Sequence, residues 1–131
     1  MKLPWRSGKN MNYESFRIVE SKRQPGVSFE IHRMSFARRV ELTRRIREIA
    51  QRFEYLDSRT DPRDRIEAAW LAAEIDNLYL TWGLGGISGL NLDGEPATPE
   101  RLAAIGPEEL CREALDAIKA ECGLSEAERK N

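Results

Sequence analysis

The sequence predicts an α+β domain, mainly helical, with an N-terminal β-hairpin packed on a three- to four-helix body. Two short period-two runs flank Pro25-Gly26, and stripes of apolar residues at spacings of 3 and 4 follow them. Ser35, Asp61-Pro62 and Thr98-Pro99 stand where helix N-termini need a cap or a residue without an N–H. The length of 131 residues suits one domain, and 40% hydrophobic with 33% charged residues suits a folded, helix-rich chain.

Residues 1–14 show no apolar period and are expected to form a loose lead-in; residues 15–124 form the single globular domain. In the hairpin, 15–33, Phe16, Ile18 and Glu20 alternate with Ser15, Arg17 and Val19, and Val27, Phe29 and Ile31 alternate with Ser28, Glu30 and His32. One apolar face is expected, with His32 toward solvent. A lone hairpin is marginal in water, so that face must pack on helices.

The first helix runs from Ser35 to about Asp57, with Leu42, Ile46, Ile49, Phe53 and Leu56 at spacings of 4, 3, 4 and 3 along one stripe. Ser58-Arg59-Thr60 break it, and Asp61-Pro62 start the second helix, about 62–82. That helix is apolar on two lines, Ile66, Ala69, Trp70, Ala73, Leu80 and Leu71, Ile75, Leu78, Trp82. So wide an apolar arc is expected to be sandwiched between neighbours, which makes this the central element. Gly83 is expected to end it in the left-handed conformation. The glycine-rich run to Gly89 reads as a helix stop and turn, and Leu90-Asn91-Leu92 as a short extended piece closing on Asp93-Gly94. Two more helices follow, at 99–105 and about 107–122; Gly123 stops the last, and 125–131 is a polar tail.

No catalytic constellation emerges. Cys111 and Cys122 sit on one helix about 16 Å apart along its axis, too far for a disulfide, which needs Cα atoms within roughly 7 Å. With Leu115 and Ile118 they make a core stripe, and with one histidine in the chain a Cys/His zinc site lacks ligands. His32 has no identifiable nucleophile to serve. Gly83 to Gly89 fits neither a dinucleotide fingerprint nor a P-loop, since a helix precedes it and Leu90 follows its last glycine. Asn91 to Glu95 has too few oxygen ligands for a calcium loop. No metal and no cofactor are expected. The longest apolar run, Ala68–Ala73, is six residues, against about 20 for a membrane span, and the first residues lack a signal-peptide core, so a cytoplasmic protein is expected.

Charge is the most suggestive feature. Residues 1–65 carry 16 Lys+Arg against 9 Asp+Glu, net +7, and residues 66–131 carry 5 against 13, net −8. Such halves pair internally or present two faces to partners. On the first helix Arg38, Arg45 and Arg52, spaced by seven, form a line that can contact phosphates. Against this, Glu41 precedes Arg45 by four and Glu48 precedes Arg52 by four, the favourable order for pairs within the helix.

Ser35-Phe36-Ala37-Arg38-Arg39-Val40-Glu41-Leu42-Thr43-Arg44-Arg45, the later Ala72–Leu84, and the ending Gly123–Asn131 resemble small phage and prophage tail-module proteins, in particular tail assembly chaperones. The resemblance covers about residues 15–131 and rests on layout and ending. It implies a non-enzymatic protein that holds the tape measure protein, or another tail protein, soluble in the bacterial host cytoplasm until the tail tube forms. The hairpin departs from the family's helical pattern and makes a minor virion component an alternative. A second alternative is a nucleic-acid-associated protein using the basic first helix. An expected partner surface is Tyr79, Trp82, Leu84, Leu90 and Leu92, next to adaptable glycines, with ordinary core packing as the competing reading. Self-association through that patch would present itself as a partner.

Overall fold

The computed structural model describes residues 10–57 and 61–123, with the backbone alone for 53–57. The order is β1 (Phe16–Glu20), β2 (Ser28–His32), α1 (Phe36–Asp57), α2 (Pro62–Gly83), β3 (Leu84–Ser88), β4 (Asn91–Leu92), β5 (Glu95–Pro96), α3 (Pro99–Ile105) and α4 (Glu108–Glu121). This is an α+β, mainly helical fold, as the sequence predicts. The lead-in before Asn10, Phe53 and Leu56 of the expected stripe, the break at 58–60 and the tail after Gly123 lie outside what is described.

The helix starts follow their caps. Ser35 Oγ accepts from Arg38 N–H at 3.2 Å, Asp61 Oδ1 from Arg63 N–H at 2.9 Å, and Thr98 Oγ1 from Arg101 N–H at 3.2 Å. Gly123, at φ 84°, follows α4 in the left-handed conformation. Asp93 and Gly94, at φ 51° and 82°, make the two-residue turn between β4 and β5.

The glycine-rich run departs from expectation. It is not a turn but the third strand of an antiparallel sheet of order β1-β2-β3. Leu84 pairs with Ile31 and Ile87 with Phe29, adding two apolar residues to the inner face, while Gly86 faces Glu30. Gly83 is also corrected. It is helical and buried, without positive φ. A Cβ there would lie 2.4 Å from Ile118 Cγ2, so its function is to let α4 approach α2. Gly83→Ala should therefore cost about 1–3 kcal/mol by overpacking. Chemical denaturation should show a much smaller cost in an Ile118→Ala background; equal costs in both backgrounds would remove this explanation.

The hairpin's apolar face is likewise shifted in β1. Val19 pairs with Phe29 and Arg17 with Ile31. Phe29 and Ile31 are fully buried, so the inner face of β1 carries Val19 and Arg17, while Ile18, opposite Glu30, is 58% exposed. The stronger strand sets the register, and the inward Arg17 is accommodated by Glu121 of α4 at 2.8 Å. The core lies between this inner face and α2, α3 and α4, around Phe29, Ile31, Leu80, Leu84, Leu102 and Ile118.

Candidate functional site

The expected partner surface is largely core. Tyr79, Leu84 and Leu92 are buried, and Trp82 and Leu90 are half-buried against the same core. The reason is β3: once Leu84 enters the sheet, the segment expected to be adaptable becomes part of the packed interior. Of the five side chains only Trp82 and Leu90 keep part of their surface exposed.

The expected phosphate-contacting arginines all have partners within the chain. Arg38 reaches from the first turn of α1 to the end of α2, where its guanidinium donates to the Trp82 carbonyl. It stacks 3.9 Å from the centroid of the Trp82 ring. A cation on a terminal helix carbonyl is also favoured by the helix dipole. Arg45 pairs with Glu41 at 2.8 Å, as its spacing predicts, and Arg44 shares that carboxylate at 2.6 Å. Hydrogen bonds from Arg44 and Arg45 hold the Glu41 carboxyl below its usual range. Arg52 reaches across to Glu67 of α2 at 3.6 Å.

The charge asymmetry is also used internally. Arg17 meets Glu121, Arg23 meets Glu109 at 3.8 Å, and Glu113 accepts from Ser21 Oγ at 2.6 Å and Lys22 N–H at 2.7 Å. The basic hairpin is thereby docked on the acidic α4. Between α2 and α4, Lys119, with a side chain only 5% exposed, holds Asp76 Oδ1 at 2.6 Å.

Reactive groups are few. His32 lies half-buried on the outer face opposite Phe16. Burial, and then the Arg38 charge, lower its pKa, so the ring favours its neutral form. Burial raises the Cys111 thiol and pushes that of Cys122 up to about 11, which keeps both protonated near neutrality. Among the described residues no group of three or more His, Cys, Asp or Glu could hold a metal ion, and no helix is long and apolar enough to cross a membrane.

Among the described residues, exposed large apolar side chains occur before and in β1 (Met11, Tyr13, Ile18), at the end of α3 (Ile105) and, in pairs one helical turn apart, on the two long helices. On α1, Phe36 is 87% and Val40 55% exposed. They line an open groove of about 590 Å³ with Arg39, Thr43, Arg44, Arg47, Glu48 and Gln51. A second crevice of about 310 Å³ shares Arg39, Thr43 and Arg47 and is floored by Leu42, Ile46, Tyr79 and Cys122. On α2, Ile66 is 72% and Trp70 53% exposed, with Ala69 and Ala73 exposed beside them. The signal for the α1 groove was present as Phe36 and Val40 four residues apart, off the line of Leu42 and Ile46. The α2 stripe was visible as one of its two apolar lines; that nothing among the described residues covers it could not be read from periodicity.

Comparison with protein-family models, with curated proteins and with solved structures finds no match for this chain.

Proposed function

We propose that this chain is a non-enzymatic phage tail morphogenesis protein, of the tail assembly chaperone type, that holds an amphipathic helix of the tape measure protein in the α1 groove. The observation that carries the reading is the pairing of exposed anchors with unpaired charge. Phe36 and Val40 project into a groove bordered by Arg39 and Arg47, for which the described residues provide no ion-pair partner. A helix with apolar residues at spacings of 3 and 4, flanked by Asp or Glu, fits that chemistry. The sequence resemblance agrees with it, and nothing in the role requires a catalytic group. The host cytoplasm is the compartment this role implies.

The test is co-expression with helical segments of a tape measure protein. Phe36→Ser with Val40→Ser should weaken capture at least about tenfold, since few anchors carry most of an interface's energy. The melting temperature should hardly move, because both side chains are exposed. Undiminished capture by the double variant would refute the groove assignment.

A further inference from the structure

We propose that two copies of this chain associate through the outer face of α2, antiparallel, with the two-fold axis near Ala69–Trp70. This surface is separate from the α1 groove. α1 packs along α2, yet Ile66, Ala69, Trp70 and Ala73 remain exposed, Ala73 at the rim of a crevice that α2 shares with α3 and α4. Two large apolar side chains there, Ile66 at 72% and Trp70 at 53% exposure, lie one helical turn apart and form one stripe with Ala69 and Ala73. Ala69 and Ala73 beside them allow a facing helix to come close.

The charges choose the occupant. Arg63 and Arg65 flank the N-terminal end of the stripe, and Glu74 and Asp76 flank its C-terminal end. Arg63 and Glu74 are eleven residues apart, close to three full turns, so they lie on the same side of the stripe. Arg65 and Asp76 have the same separation on the other side. A two-fold axis perpendicular to the helix reverses its ends and keeps its sides. Arg63 therefore meets Glu74 of the partner subunit, and Arg65 meets Asp76 of the partner subunit, each contact occurring twice. The midpoints of the two pairs fall one residue to either side of Ala69–Trp70, where the apolar stripe is centred. Arg63, Arg65 and Glu74 have no ion-pair partner among the described residues, so they are available for these contacts, while Asp76 already holds Lys119. A parallel pairing would set like charges side by side and align the helix dipoles, both unfavourable. A helix that carries its own complement, read in reverse, is suited to a second copy of itself.

Sedimentation of the full chain across a concentration series tests this directly. A monomer of 15.0 kDa should give way to a species of twice that mass. Trp70→Glu should leave a monomer with an unchanged melting temperature. Glu74→Arg should weaken the dimer about tenfold by facing Arg63 of the partner subunit, and adding Arg63→Glu should restore it. Ala69→Cys should form a disulfide-linked dimer under mild oxidation that the parent chain does not. Phe36→Ser should leave the dimer intact, which separates this surface from the α1 groove. A chain that stays monomeric throughout, a dimer indifferent to Trp70→Glu, or a charge swap that fails to restore association would each overturn the proposal.

Discussion

Replacing Leu84 with Ser should lower the unfolding free energy by about 3–5 kcal/mol, the cost of a large-to-small change in a core plus a hydroxyl left in apolar surroundings. Leu84 is 4% exposed, opposes the fully buried Ile31 across the sheet and belongs to the core cluster. A urea titration should show the loss as a shift in midpoint with little change in slope. Phe36→Ser, at an exposed position, should change stability by less than about 0.5 kcal/mol. The contrast between the two separates a core residue from a docking residue, two roles that apolarity alone does not distinguish. If Leu84→Ser were as mild as Phe36→Ser, the third strand would not be part of the folded interior.

Asp76→Ala should be comparably damaging, at about 3 kcal/mol, because it strands the Lys119 ammonium between α2 and α4 without its counter-charge. The Lys119 side chain is 5% exposed and the Asp76 side chain 30%. Lys119 Nζ also lies 5.6 Å from the centroid of the Tyr79 ring, which lessens but does not replace the lost carboxylate. Pairing Asp76→Ala with Lys119→Met should recover most of the stability, since an apolar side chain of similar length asks for no partner. A double variant no better than Asp76→Ala alone would mean that the carboxylate matters for some other contact.

The helices were legible because capping chemistry is local. Ser35, Asp61-Pro62 and Thr98-Pro99 announce a helix start whatever the rest of the chain does, and Gly123 announces a stop. The third strand was not legible. Gly85 and Gly86 remove the side chains by which a strand shows its period, and only the distant partners Phe29, Glu30 and Ile31 make that segment extended. The face of β1 is ambiguous in the sequence for a related reason. Ile18 and Val19 are both apolar, so either register satisfied the pattern until β2 imposed its own. For the candidate sites, the sequence ranked apolar clusters without knowing which elements would cover them. Trp82 and Leu84 are covered by the sheet and the helices around it, while Ile66 and Trp70 are left outside, although all four lie on or beside the same apolar helix.

The sheet joins chain segments made at very different times. β1 and β2 form a local hairpin, but β3 begins only at Leu84, after both long helices have been synthesised. Closing that loop carries an entropic cost that the local hairpin and the α1–α2 pair do not bear. Such non-local pairing is the slow part of folding. Until Leu84 and Ile87 arrive, Phe29 and Ile31 have only β1 beside them. A nascent chain of this protein therefore holds its most deeply buried strand half-finished while α1 and α2 emerge, and the glycines that make β3 hard to recognise also leave it few side chains to misplace when it docks.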